Sequence, residues 1–433
     1  MSPGERMTDV FDRASTLNFT TVATVRGVFS EAQLRGALGC LMRRHPLLTA
    51  RIERGSDSWS LNPGEAAAIP LSVADGDLDS VGSRVSESLN HRCWEDSGPR
   101  GELTWIRHAA DHSSLLLCLH HTVSDGSSGI LAMRDLLAFL EQPSDAAIEE
   151  LAAPGQDHYF PPLFAELRDR FLASVAGAPP PAQARPFRLR TNGTAPIEQR
   201  RTYTTAIRLD REDSDRVTNY ARRIGATVHG VLCASVSAAI ARESDLAAPQ
   251  LHRFAHPVTL RRYLAERFPA QPVIGDAVGY YVSSVHTDHE VHPRREFDQL
   301  AREFSEAVRA KLDAHEPLLT APIRGPMLAQ RAEKLGMDAF RTWVEADVFT
   351  GTFALSNLGA LERLGARTQV GSLTVEDLYF AIAPSILGPF SGAAVSFDGR
   401  ITLQLTHVEP LLQQEVVQRI ADRVRHQLTD GLL

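Results

Sequence analysis

The stretch Ser114-Leu115-Leu116-Leu117-Cys118-Leu119 runs without a charge, a proline or a glycine and leads straight into His120-His121-Thr122-Val123-Ser124-Asp125-Gly126. An apolar run this short cannot make a helix, and it lacks the polar alternation of a half-exposed strand. It therefore predicts a strand covered on both faces. A polar cluster at the end of such a core strand is held rigidly yet placed at an edge.

Gly126-Ser127-Ser128-Gly129 breaks that strand and supplies hydroxyl caps for a helix. The helix is expected over Ile130 to Leu140, with Ile130, Met133, Leu137 and Leu140 on one stripe. Strand, short polar loop and helix together expose side chains and backbone N–H groups beside a fixed element. Consecutive strand side chains point to opposite faces, so His120 and His121 divide their roles, one doing chemistry and the other packing. A neutral imidazole suits proton removal near neutral pH, its unperturbed pKa being ~6.5. His121 is assigned that role. The residues alone leave a hydrogen-bonded core pair open, since the chain has 16 histidines. Zinc is disfavoured, because adjacent histidines share one ion poorly and no further ligand cluster lies nearby in sequence. No metal is expected.

With 433 residues the chain exceeds what one core usually serves, so two domains are expected. The clearest linker composition runs from Ala176-Gly177-Ala178-Pro179-Pro180-Pro181 to Asn192-Gly193. That divides the chain into 1–175, a linker at 176–200, and 201–433. Strands are expected at Asn18 to Val28, Trp59 to Leu61, Leu71 to Val73, Leu103 to Ala109 and Arg201 to Leu209. Helices are expected after Ser30, at Val81 to Trp94, from Asp210, at Thr227 to Ala241, and at the end around Val416, Ile420 and Val424. Asp398-Gly399 between two apolar runs predicts a hairpin. A net charge of −8 argues against nucleic acid. Cys40, Cys93, Cys118 and Cys233 are far apart and read as reduced core residues. No apolar stretch reaches 18 residues and the first 16 are polar, so a cytoplasmic protein with no membrane span is expected, as a monomer.

The pattern His-His-x-x-x-Asp-Gly after an apolar strand resembles the signature of the CoA-dependent acyltransferase superfamily. This superfamily includes peptide-synthetase condensation domains, plant BAHD acyltransferases, wax ester synthases and polyketide-associated (Pap-type) acyltransferases such as phthiocerol dimycocerosyl transferase. Arg43-Arg44-His45-Pro46-Leu47-Leu48-Thr49-Ala50-Arg51 is similar to an early family segment. His256-Pro257-Val258-Thr259-Leu260-Arg261 and Leu355-Ser356-Asn357-Leu358-Gly359 are similar to later ones. The BAHD sequence Asp-Phe-Gly-Trp-Gly is absent and Ser356-Asn357-Leu358-Gly359 stands in its place, which favours the Pap and condensation branch.

The resemblance implies an α/β fold of two chloramphenicol-acetyltransferase-like subdomains, mixed sheets flanked by helices, with the active-site tunnel between them. It implies acyl transfer from a phosphopantetheine thioester, carried by coenzyme A or an acyl carrier protein, with no other cofactor bound. The acceptor is a small molecule bearing a hydroxyl: a polyketide, a glycolipid or a related metabolite. His121 is then the general base, and the N–H groups near Gly126, or the side chains of Ser356 or Asn357, face the oxyanion. For Asn357 a turn role before Gly359 stands beside that reading. His120 and Asp125 are structural, with Asp125 paired to Arg261 and facing away from the substrate. The chain lacks Gly-x-Ser-x-Gly, so no acyl-enzyme is expected. Arginines 294, 295, 302 and 309 are candidates for meeting an acidic carrier or a phosphate. A cyclisation or dehydration on the same scaffold, or a binding module, are the alternatives.

Overall fold

The computed structural model describes residues 1–55, 59–91, 97–142, 148–151, 186–189, 195–245, 247–267, 275–348 and 351–432. Its strands in chain order are β1 (Asn18–Arg26), β2 (Arg51–Arg54), β3 (Trp59–Asn62), β4 (Leu71–Asp75), β5 (Gly101–Ala109), β6 (His112–His120) and β7 (Arg201–Arg208). They continue with β8 (Gln250–Thr259), β9 (Val282–Val291), β10 (Phe353–Ala360), β11 (Gln369–Val370), β12 (Leu373–Ile382), β13 (Phe390–Phe397) and β14 (Arg400–Glu409).

Two six-stranded mixed sheets carry the fold, ordered β11-β12-β1-β6-β5-β4 and β7-β14-β13-β10-β8-β9. The apolar run is β6, inside the first sheet between β1 and β5, and Ser113–His120 is buried throughout. Its lack of alternation thus has the expected cause, because both faces are covered. Helices Glu31–Arg44, Val81–Leu89 and Gly126–Glu141 pack with this sheet, and Val228–Glu243, Phe297–Asp313 and Gln414–Thr429 with the second. The architecture is the expected α/β pair of sheets flanked by helices.

Local chemistry accounts for several element ends. Ser30 and Gln33 form a reciprocal capping box at the second helix, which stops at Arg44 before Pro46. Thr227 caps Val228–Glu243 through the Gly230 N–H. Asp398 and Gly399 both have positive φ, +53° and +71°, as the tight turn between β13 and β14 requires.

Two features differ from the sequence expectation. The helix after the motif is capped by Asp125, whose side chain accepts from the Ser128 N–H, and not by the hydroxyls of Ser127 and Ser128. A carboxylate is the stronger acceptor for an orphan N–H. It also frees Ser128 for a longer-range contact. Second, the sheets do not follow the division at 176–200: β12 pairs antiparallel with β1, Phe19 opposite Ile382, so the C-terminal half completes the first sheet. The expected Val81 to Trp94 helix is observed over Val81–Leu89; 92–96, including Cys93, and most of the linker at 176–185 and 190–194 lie outside the described residues. Cys40, Cys118 and Cys233 are free and buried. Among the described residues no single helix is long and apolar enough to cross a membrane.

Candidate active site

β6 delivers His120 as its last residue, and the chain then turns, so His121 leaves the strand as a turn residue. His120 points inward. Its Nδ1 accepts from the Thr122 N–H at 3.0 Å and its Nε2 lies 3.3 Å from Asp12 Oδ2. Burial alone would raise the Asp12 carboxyl, but His120, the Leu17 N–H and Arg100 outweigh it and hold the group below its usual value.

His121 is arranged differently. Its Nδ1 lies 2.7 Å from the Ser124 carbonyl, which accepts only, so Nδ1 carries the proton. Nε2 is thereby left with its lone pair, and no described residue is bonded to it. The ring stands edge-on between Phe19 and Tyr280, centroids 5.6 and 5.5 Å away. Burial among these rings lowers its pKa below the ordinary histidine value, and only partly do the Ser124 carbonyl and Asp125 oppose it. The imidazole is neutral at neutral pH, oriented, and free at one nitrogen. That is the state a general base requires.

Asp125 fixes the loop. Its Oδ1 accepts from the Ser128 N–H at 2.7 Å and its Oδ2 from the Tyr281 N–H at 2.8 Å. The Arg261 guanidinium lies 3.6 Å from Oδ1 and donates to the Ala277 carbonyl at 2.8 Å and to Ser128 Oγ at 2.7 Å. It also covers the Tyr281 ring at 4.7 Å. Asp125 and Arg261 are both buried, so the two charges are paired and hydrogen-bonded away from water.

The segment 277–281 is the piece that sequence reasoning missed. It crosses to the motif helix, where the Gly279 N–H donates to Ser128 Oγ at 3.1 Å and Ser128 donates to the Gly279 carbonyl at 2.7 Å. The Val278 N–H donates to His45 Nδ1 at 3.3 Å, and His45 Nε2 donates to Asp135 on the motif helix at 3.0 Å. His45, from the Arg-Arg-His-Pro stretch, therefore links the motif helix to the strap bearing Tyr280 and Tyr281. The N-terminal helix Pro3–Ala14 was also missed, although Ser2 and Glu5 have capping-box spacing and Pro3 is the first helical residue. It supplies Asp12 to His120 and sets Thr8 Oγ1 3.4 Å from Thr122 Oγ1.

Gly126 opens the motif helix, so its N–H and that of Ser127 have no intrahelical acceptor and sit at the positive end of the helix dipole. A Cβ on Gly126 would stand 3.3 Å from the Phe380 ring and 3.6 Å from Leu358 Cδ1. β10 thus reaches the motif through Leu358, and alternation puts Ser356 on the same side. Asn357 is turned the other way. Its Oδ1 accepts from the Gly359 N–H at 2.8 Å and its Nδ2 lies 3.5 Å from His229 Nδ1. The turn reading describes it, with Gly359 at φ +68°. Burial brings His229 down to about 4, so the ring is neutral.

Among the four arginines at 294, 295, 302 and 309, Arg295 is engaged by Glu303 and Arg302 faces the Ile224 carbonyl at 3.5 Å, while Arg294 and Arg309 are exposed. Surface clefts of about 700 and 600 Å³ lie at Arg51–Arg54 with Ser97, and at Gly39, Met42 and Arg43; neither is lined by the motif.

Gly129 gives a stability prediction. An added Cβ would collide with the Phe19 ring and Thr21 Oγ1. Gly129→Ala is expected to cost about 1–3 kcal/mol by overpacking, and to lower activity by displacing the ring against His121. A urea midpoint equal to wild type would contradict this.

Residues 198–406 match the family model for the C-terminus of phthiocerol/phthiodiolone dimycocerosyl transferase. Phosphinothricin tripeptide synthetase PhsC of Streptomyces viridochromogenes is 27% identical over 312 residues, 65% of this chain and 26% of the synthetase. Vanchrobactin synthetase VabF of Vibrio anguillarum is 28% identical over 144 residues, 30% of this chain and 5% of that protein. The chain therefore spans 26% and 5% of the lengths of these two curated relatives. Polyketide synthase associated protein 5 from Mycobacterium tuberculosis shares the fold at TM-score 0.66 and 16% identity, covering 98% of this chain and 97% of that one. The first condensation domain of the CDA synthetase does so at 0.71 and 15%, covering 100% and 96%. Residues 198–406 thus carry the likeness to the transferase family model, and the fold is shared with these condensation-like structures across nearly the full length of the chain.

Proposed function

We propose that this protein is an O-acyltransferase that moves an acyl group from a phosphopantetheine thioester to a hydroxyl of a polyketide, glycolipid or related metabolite. The observation that carries the reading is His121, with Nδ1 held by the Ser124 carbonyl and Nε2 left as a lone pair. The family match over 198–406 supports acyl transfer or condensation chemistry on the same fold.

In this reading the acceptor oxygen attacks the thioester carbonyl while His121 Nε2 takes the hydroxyl proton. The oxyanion forms near the Gly126 and Ser127 N–H groups, with the Ser356 side chain on the same side. Collapse breaks the carbon–sulfur bond, and the imidazolium returns the proton to the thiolate. The donor enters one side of the junction between the sheets and the acceptor the other. His120, Asp125 and Arg261 hold the loop and touch neither substrate.

Acceptor-dependent thiol release from a panel of acyl-CoA and acyl-carrier-protein donors tests this. Carrier donors are included because the curated relatives are peptide synthetases. The kinetics are expected to be sequential; a trapped acyl-enzyme with ping-pong behaviour would contradict direct transfer. The pH profile gives a further prediction. The base works when neutral, and burial lowers its pKa, so kcat/KM should stay flat as pH falls past ~6.5, the ordinary histidine value. Its acid limb should lie lower still. An acid limb at or above that value would argue against buried His121 as the titrating base.

A further inference from the structure

Behind the motif-facing side of the second sheet, three metal-ligating side chains converge. His229 and Cys233 lie four residues apart on the Val228–Glu243 helix, hence on one face of it, and His256 reaches them from β8. His229 Nε2 is 2.9 Å from His256 Nδ1, and Cys233 Sγ is 3.5 Å from the first nitrogen and 4.0 Å from the second.

We propose that His229, Cys233 and His256 bind a divalent ion of borderline softness, zinc in the first instance, with one coordination position left open. The geometry is close to what the ion needs. Bonds of about 2.0–2.1 Å to nitrogen and 2.3 Å to sulfur at tetrahedral angles put the donor atoms roughly 3.3–3.7 Å apart. The three separations straddle that range, so seating an ion moves side chains by tenths of an ångström.

The surroundings agree with the assignment. His256 Nε2 lies 2.8 Å from Thr287 Oγ1, a hydroxyl able to accept the Nε2 proton, and in that tautomer the Nδ1 lone pair is aimed at the cluster. Thr287 Oγ1 is in turn 2.8 Å from His289 Nε2. Asn357 stands on the far side of His229 at 3.5 Å, too long to fix that ring's tautomer. Cys233 and His256 are fully buried while His229 is only partly so, which leaves the open position on the His229 side. The donor set of two imidazoles and a thiolate selects zinc or cobalt over magnesium or calcium, which demand oxygen. Without an ion, His229 Nε2–H donates to His256 Nδ1. Uptake moves that proton to His229 Nδ1 and releases the Cys233 thiol proton to solvent. The ion then ties the helix to β8 and, through His229 and Asn357, abuts the turn at Gly359.

Cobalt titration of the chelator-stripped full chain decides it. The expected result is saturation at one Co²⁺ per chain, with a near-ultraviolet sulfur-to-cobalt charge-transfer band. Zn²⁺ should displace the cobalt and excess Mg²⁺ should not. Cys233→Ala, an easy replacement inside a helix, should keep wild-type circular dichroism and lose the band. His229→Gln, at the partly exposed ligand, should weaken Co²⁺ binding at least tenfold and serves if the first variant fails to fold. No band in wild type, or a band that survives Cys233→Ala, overturns the proposal and leaves a neutral hydrogen-bonded chain of side chains.

Discussion

Replacing His121 with alanine is expected to lower kcat/KM for acyl transfer by about 10²–10⁴-fold, the usual worth of a positioned general base. The loss should fall on kcat, because the base acts while the acceptor oxygen attacks and not when it binds. Stability should change far less. The ring bonds one backbone carbonyl and touches Phe19 and Tyr280 by their edges, and no ion pair depends on it. His121→Gln should be nearly as inactive, since an amide cannot take the proton. His120→Ala should differ: it removes the partner of Asp12 and the acceptor of the Thr122 N–H, so it should destabilise the loop. A loss of less than tenfold in a folded His121→Ala protein would assign proton removal elsewhere.

Replacing Asp125 with alanine is expected to destabilise the fold by about 3–5 kcal/mol, the cost of stranding a buried charge. Arg261 would lose its counter-charge in a site closed to water. The Ser128 and Tyr281 N–H groups would lose their acceptor, and the helix its cap. Asp125→Asn keeps an oxygen for one of those donors, so it should fall between alanine and wild type. Urea unfolding at constant slope reads the difference. Activity should fall in both variants because the strap bearing Tyr280 is attached through Asp125. A midpoint within experimental error of wild type for Asp125→Ala would mean that the pair does not hold the loop.

Local patterns carried the sequence reading a long way. The run from Ser114 to Leu119 could only be a doubly covered strand, and Ser30, Pro46, Thr227 and Asp398-Gly399 mark real element ends. The pairing of β12 with β1 was hidden, because a strand records which face it buries and not which distant strand lies beside it. The strap at 277–281 was hidden for a related reason. It bonds the motif mainly through backbone N–H groups, which every residue possesses. Asp125 shows the opposite limit: its motif position is plain, but on composition the hydroxyls of Ser127 and Ser128 suit a cap equally well, and only the structure shows Asp125 as the cap. Asn357 shows that one residue of register separates the two sides of a strand. Leu358 faces Gly126 and Asn357 faces His229.

The measurement that decides the functional reading is the mass of the product made from a defined acyl thioester and a hydroxylated acceptor, wild type beside His121→Ala. Acyl transfer predicts an acceptor heavier by the acyl group, formed in step with free thiol by wild type and reduced to trace in the variant. An acceptor that loses water or cyclises without gaining the acyl group, or one returned unchanged across CoA and carrier-protein donors, would contradict it.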